Sequence, residues 1–411
     1  MIATPIPTPT SAMPSREGHL PTLLACFAHF DVCFMLWVLI GALGAFIFDG
    51  TGMDVGLKGL IVGVPILTGS LLRLPLGLLS DRMGGRRVGL ALLFFLIVPL
   101  TLAWLAPSGV TTLLVVGLTL GAAGASFAIA LPMASRWYSS DRQGLVMGIA
   151  AAGNSGTVLA NVFAPRLAST VGWHNVFGLA LLPLAAVIVL FWLAARDAPG
   201  GSGIKTAREY FAAASHPDAR WLCFFYSVTF GGYVGLSSFL PIVLRDQFAV
   251  APVTAGSITA IAAFGGSLAR PLGGYLADRM GGVTLLQRLL AGIALAYAAL
   301  AALPPLVAAV PIVVVTMVCL GLGNGAVFQL VPLRFAREVG SITGVVGAVG
   351  GIGGFLLPTV LGAARQSSGS YAAGFGVLAL FAASAGLSLY LLQRPARRNS
   401  WATSLATAEE L

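Results

Sequence analysis

Charge is scarce in this sequence. Only 9% of its 411 residues are Asp, Glu, Lys or Arg, while 57% are apolar. Soluble globular domains carry about 25% charged residues, so a chain of this length could not clothe a water-facing surface with so few. A soluble fold is excluded. Cysteine is scarce too: Cys26, Cys33, Cys223 and Cys319 all fall inside apolar stretches, without the paired spacing of a metal site or disulfide frame. They read as small core residues. His19, His29, His174 and His216 are scattered and form no ligand spacing, which leaves an intramembrane enzyme without a metal, base or nucleophile set. Neither an enzyme nor a bound cofactor is expected. The first twenty residues, rich in Pro, Thr and Ser, show no basic, apolar and small-residue succession of a cleaved leader. They read as a short tail before an uncleaved first helix.

Apolar runs are what the chain has in abundance. A membrane-spanning helix needs roughly 20 apolar residues. Runs separated by turn or charge clusters place helices near 21–47, 57–80, 88–106, 110–135, 143–168, 174–195, 220–244, 253–277, 284–306, 308–332, 342–364 and 371–393. The fold class is therefore an all-α polytopic membrane protein with twelve transmembrane helices. The longest polar stretch, rich in glycine and basic residues, reads as a linker. The expected organisation is a tail (1–20), a six-helix bundle (21–195), a linker (196–219), a second six-helix bundle (220–393) and a C-terminal tail (394–411).

The distribution of basic residues supports that layout. With both termini on one side, that side holds 17 Lys and Arg residues, and the opposite side holds 4: Lys58, Arg166, Arg245 and Arg365. The positive-inside rule then puts both termini and the linker in the cytoplasm. The formal charge of +9 gains a topological cause, and nucleic acid is not needed as a partner. The halves also repeat. Arg73-Leu-Pro-Leu-Gly77-Leu-Leu-Ser-Asp81-Arg82-Met-Gly-Gly85 matches Arg270-Pro-Leu-Gly-Gly274-Tyr-Leu-Ala-Asp278-Arg279-Met-Gly-Gly282 at a constant offset of 197 residues. Such a repeat implies a duplicated bundle with a binding site between its halves.

Three ionisable residues fall well inside predicted helices: Arg73, Arg270 and Asp31. Arg73 precedes Asp81 by eight residues, which at about 1.5 Å per residue sets it near the midplane of a ~30 Å core. Arg270 stands at the same depth in the other half. Neither has a carboxylate within a helical turn, so a ligand is expected to bring the negative charge. The guanidinium fork suits a planar oxyanion and stays charged at any relevant pH. A structural arginine bonded to backbone carbonyls is the alternative. Asp31, the only carboxylate deep in a predicted helix, is a candidate proton carrier, unless it pairs with a neighbouring helix.

The predicted helix 143–168 carries Gly153, Asn154, Ser155 and Gly156, and the helix 342–364 carries Gly350, Gly351, Gly353 and Gly354. Small residues at such spacing let helices approach closely. Facing glycine runs at midplane would also leave room for a small anion, with Asn154 able to donate a hydrogen bond. Tyr226 and Phe230, spaced i, i+4, share a helix face, and Tyr226 keeps a hydroxyl donor. Gly77, Asp81 and Arg82 place a carboxylate and a basic cluster at a helix end, where charge pairing can latch one conformation. Asp278 and Arg279 form the weaker copy of that motif.

Together these features resemble the major facilitator superfamily, and within it the nitrate/nitrite porter family of NarK/NasA type, over essentially the whole chain. Phe30-Asp-Val-Cys-Phe-Met-Leu-Trp37, the paired Arg73 and Arg270 and the Gly153-Asn154-Ser155-Gly156 run carry the resemblance. It implies two pseudo-symmetric six-helix bundles that move nitrate or nitrite by alternating access, as proton symport or as nitrate/nitrite exchange. It also implies that the arginines hold the anion, that the glycine-rich helices are the family's signature segments, and that Asn154, Tyr226, Phe230 and Phe127 contact substrate. The run at Gly350 to Gly354 departs from its counterpart by lacking an asparagine. Expected partners are the nitrate or nitrite anion, protons where uptake is coupled, and the lipid bilayer around a monomer. Exchange of phosphate or an organophosphate suits paired arginines too, and a non-transporting anion sensor is a further alternative.

Overall fold

The computed structural model describes residues 18–107, 109–139, 143–199, 207–335 and 339–393. The expected tails, apart from residues 18–20, and residues 200–206 of the expected linker lie outside the described residues. In hydrocarbon every backbone N–H and C=O must be satisfied within the protein, and helices do so within one segment. The spans follow in order. α1 runs Leu20–Trp37 and continues through Leu39–Ala42 and Gly44–Ile47; α2 is Val55–Met83, α3 Gly85–Leu105 and α4 Val110–Ser135. α5 is Gln143–Ala151 and Gly156–Val171 joined by a 3-10 segment, Ala152–Ser155, and α6 is Trp173–Ala194. In the second half α7 is Pro217–Phe248, α8 Pro252–Met280, α9 Gly282–Ala301, α10 Leu306–Arg334, α11 Val339–Ser368 and α12 Ala372–Leu392. Among the described residues eleven helices are long and apolar enough to cross a membrane; α5 is the twelfth span, interrupted at its 3-10 turn.

The second half begins earlier than the apolar pattern indicates. α7 starts at Pro217, inside the expected linker 196–219, with His216 Nδ1 accepting from the Asp218 N–H at 3.2 Å. A short helix, Ala207–Ser215, precedes it. The charge of Asp218 reads as loop in the sequence, but Arg334 of α10 donates to its carboxylate at 2.8 Å, so the helix end tolerates it.

The internal repeat is written in the backbone as well. Gly84 (φ +92°) turns α2 into α3, and Gly281 (φ +82°), 197 residues later, turns α8 into α9. Only glycine adopts such values without strain. Large apolar side chains such as Val307, Leu295 and Leu380 are 88%, 72% and 71% exposed, as a lipid-facing surface requires. The apolar stretch of α7 is instead wholly buried, so α7 runs through the centre of the molecule.

The halves meet on the side opposite the termini, here the far side. Along α2 and α11, Gly59 abuts the Pro358 carbonyl, Gly63 abuts Phe355, and Gly351 abuts Ser70. α1 meets α7 where Gly41 abuts the backbone of Ser238, and α5 meets α8 where Gly256 abuts Asn161 and Pro165. Lys58–Asp246 at 3.9 Å and Arg245–Asp49 at 3.4 Å bridge the far rim. At the other end, Asp81 pairs with Arg136 and Asp218 with Arg334, each pair inside one half.

Candidate anion-binding site

At the depth where the α2–α11 contact ends, α2 delivers Arg73. This guanidinium is 1% exposed and no ion pair joins it among the described residues. Its Nε donates to the Gly124 carbonyl at 3.1 Å and its Nη1 to the Gly347 carbonyl at 2.5 Å, while its buried Nη2 has no partner. Gly124 belongs to a buried 3-10 segment of α4, Gly121–Ser126. Three rings surround the cation, with the guanidinium carbon 4.9 Å from the Phe230 centroid, 5.1 Å from Phe127 and 5.4 Å from Trp37. Such contacts spread a buried cation over ring quadrupoles but do not neutralise it.

α8 brings Arg270 to the other side of the same aromatic set. Its Nη2 donates to Tyr226 Oη at 3.4 Å, its buried Nη1 has no partner, and its guanidinium carbon lies 5.4 Å from the Phe328 centroid. Tyr226 and Phe230 stack in parallel, 4.9 Å apart at 3°, as expected for an i, i+4 pair. Phe328 stands edge-on to Tyr226 at 4.9 Å and lies 6.2 Å from Phe127. The result is a buried aromatic cluster with a cation on each side, each keeping one unused N–H group. A planar anion with its charge spread over several oxygens matches this arrangement. Each charge-assisted hydrogen bond it accepts contributes about 1.5–3 kcal/mol.

The sequence profile of the Major Facilitator Superfamily matches residues 25–358. The chain belongs to that superfamily. The nitrite extrusion protein of Bacillus subtilis (strain 168) is 34% identical over 84% of this chain and 87% of its own. The probable nitrate/nitrite transporter NarK2 of Mycobacterium tuberculosis is 36% identical over 81% and 86%. The probable nitrate/nitrite antiporter NarK1 of Thermus thermophilus is 30% identical over 93% and 94%. In fold, the chain is similar to a bacterial homologue of the human lysosomal transporter Spinster, with a TM-score of 0.67 and 20% identity, covering 93% of this chain and 98% of the other. This superfamily is one of transporters, not enzymes.

In this facilitator Arg73, Arg270, Tyr226, Phe230 and Phe127 converge on one cluster. The signature glycines lie against packed neighbours. A Cβ at Gly153 would come within 2.7 Å of the Phe30 ring, and one at Gly156 would strike the Asp31 carbonyl. Gly350 abuts the Tyr226 ring, Gly351 abuts Ser70, and Gly353 abuts the Ser227 backbone. These five serve close helix packing, and Gly350 thereby seats Tyr226. Asn154 is 2% exposed with its Oδ1 unpartnered, and its 3-10 segment also touches α8. Among the described residues Asp31 forms no ion pair with either arginine; its carboxylate accepts from Ser155 Oγ at 2.6 Å, at the break in α5.

Among the latch residues, Gly77 is buried, Arg82 is exposed, and Asp81 pairs with Arg136 of its own half. Asp278 and Arg279 are exposed, the latter 4.6 Å from the Tyr275 ring. Sequence reasoning missed Trp37 and Phe328. Trp37 had a signal, since Phe30, Phe34 and Trp37 recur at i, i+4 and i+7 on one face of α1. Phe328 had none, because an isolated aromatic in a lipid-spanning helix faces lipid, core or site with equal ease.

Proposed function

We propose that this facilitator carries nitrate and nitrite across the cytoplasmic membrane by alternating access, with both termini in the cytoplasm, and works as a monomer. The observation that carries the reading is the pair of guanidinium groups, Arg73 and Arg270, each with a buried, unpartnered N–H beside one aromatic cluster and, among the described residues, no carboxylate joined to either. A monovalent planar oxyanion supplies the missing charge, accepts from both forks and lies against the Tyr226, Phe230 and Phe127 rings. Relatives named as nitrate or nitrite transporters support the choice of anion, and the 17-to-4 division of basic residues supports the orientation.

The two halves, sealed on the far side, rock about this site, and the charge cluster at Asp81 and Arg82, echoed at Asp278 and Arg279, gates that motion. Exchange of nitrate for nitrite needs no proton, and the relative named an antiporter supports it. Proton symport would run through Asp31, whose protonation would weaken the charge-assisted bond that holds Ser155 at the break in α5. Counterflow in proteoliposomes tests the assignment. Labelled nitrite uptake driven by internal nitrate, with competition by chlorate but not by phosphate, is the expected result. Preference for phosphate, or no flux by folded protein, overturns it.

A further inference from the structure

Beyond the arginines, toward the far side, three helices each carry a polar side chain one turn from Arg270, from Phe230, or from Asn154, which the family resemblance makes a substrate contact. On α5, which runs toward the far side, Thr157 and then Asn161 follow Asn154. On α7, which runs the same way, Tyr233 follows Phe230. On α8, which runs the opposite way, Ser267 precedes Arg270. Three residues at about 1.5 Å each put Thr157, Tyr233 and Ser267 some 4.5 Å farther out, and Asn161 lies about one more turn beyond Thr157.

The tier is closed on itself in this conformation. Thr157 Oγ1 and Ser267 Oγ lie 3.0 and 2.6 Å from Tyr233 Oη; Tyr233 Oη also donates to the Ala263 carbonyl at 3.1 Å, and Thr157 Oγ1 to the Asn154 carbonyl at 2.8 Å. Asn161 Nδ2 donates to the Thr157 carbonyl at 2.8 Å and to the Ser237 carbonyl at 3.3 Å, and its buried Oδ1 has no partner. Thr157, Asn161 and Tyr233 are all at most 1% exposed. Thr157 and Asn161 belong to the first half of the chain, and Tyr233, Ser237 and Ser267 to the second, so the Thr157–Tyr233 and Asn161–Ser237 bonds cross the seam that must part for far-side access.

A seam of this kind would be held as well by apolar packing, and burying hydroxyls brings a desolvation cost that their pairing only offsets. Their presence is explained if the same donors serve a second acceptor once the halves separate. The repeat points the same way: Ser70 and Ser267, 197 residues apart, each stand three residues before a site arginine, in Ser70-Leu-Leu-Arg73 and Ser267-Leu-Ala-Arg270.

We propose that Thr157, Tyr233, Ser267 and Asn161 form a second, uncharged anion subsite through which a monovalent oxyanion passes between the far-side solution and the arginine pair. The proposal rests on the transport reading. Four neutral donors compensate a single diffuse charge; a doubly charged phosphate would need a cation among them, so the tier also selects. When the far side closes, the hydroxyls return to one another and the anion is left with the arginines.

The test uses the full chain in oriented proteoliposomes, with nitrate/nitrite exchange measured from each face while the opposite face is saturated. Tyr233→Phe and Thr157→Val are expected to raise the far-side KM for nitrate about tenfold. The KM from the terminal side and equilibrium nitrate binding in detergent should stay within twofold, and Thr157→Ser should restore the far-side value. Ser267→Ala, at a half-buried position, gives the same readout with little loss of packing should the other variants misfold. An unchanged far-side KM in folded variants refutes the subsite. An equal rise on both faces also refutes it, because it marks a merely structural role. Absence of exchange by the unaltered protein instead overturns the transport reading, and the subsite with it.

Discussion

Arg73→Lys isolates what the guanidinium fork contributes, because the charge is kept while the geometry is lost. Arg73 donates through Nε to Gly124 and through Nη1 to Gly347, leaving Nη2 for the ligand. A lysine ammonium is a compact charge with three donors on a flexible stem, and it cannot hold two carbonyls on different helices and present a third donor in a fixed plane. Loss of one charge-assisted bond to the anion is worth about 1.5–3 kcal/mol, which at about 1.4 kcal/mol per tenfold is roughly 12- to 150-fold in affinity. The weaker contacts of an ammonium with Phe230, Phe127 and Trp37 add to the loss.

Calorimetric titration with nitrate and counterflow in proteoliposomes should agree on a loss of that size, and uptake at micromolar nitrate should disappear. Thermal unfolding supplies the folding control. Nitrate at about 100 times its Kd stabilises a one-site protein by roughly 2.7 kcal/mol. The unaltered protein should therefore show a nitrate-dependent rise in Tm that the lysine variant lacks at the same concentration. A folded Arg73→Lys variant whose nitrate affinity lies within twofold of the unaltered protein would refute the fork argument.

Three further outcomes are expected. Asp31→Asn should abolish proton-driven uptake while sparing nitrate/nitrite exchange if Asp31 carries the proton; unchanged proton-driven uptake, read with a pH-sensitive dye, removes it from the mechanism. Phe328→Leu keeps an apolar wall but removes the ring 5.4 Å from Arg270, so binding should weaken by about 0.5–2 kcal/mol, or two- to thirtyfold in Kd. Gly156→Val places a branched side chain against the Asp31 carbonyl and the Met35 amide. It should lower the Tm of the ligand-free protein, whereas a site-lining role would weaken binding and leave that Tm alone.

Fold and charge pair were legible because both follow from strong, local energetics. Long apolar runs in a chain with 9% charge leave few architectures, and an arginine at midplane is too costly to be incidental. The glycine runs were ambiguous for an equally physical reason. A missing Cβ lets a ligand or another helix approach, and only the packed helices distinguish them; at Gly153 and Gly156 the neighbour is α1. Asp31 shows the same limit. Its burial was readable from the run around it, but its partner, Ser155, is 124 residues away and sits at a helix break that no periodicity announces. The start of α7 was misplaced because Asp218 looks like a loop residue until Arg334 appears beside it.

The bond from Arg73 to the Gly347 carbonyl joins a side chain of the first half to the backbone of the second. On the transport reading one guanidinium is thus both ligand holder and fastener. Rotation of the halves must stretch or redirect that bond, and an anion held on the neighbouring Nη2 draws on the same guanidinium charge. Occupancy and hinge position therefore share a single thermodynamic variable. By reciprocity, whatever loosens the fastener tightens the grip on the anion by the same factor. Cargo recognition and the release of the far-side seam then need no relay between them, because they are two readings of one residue.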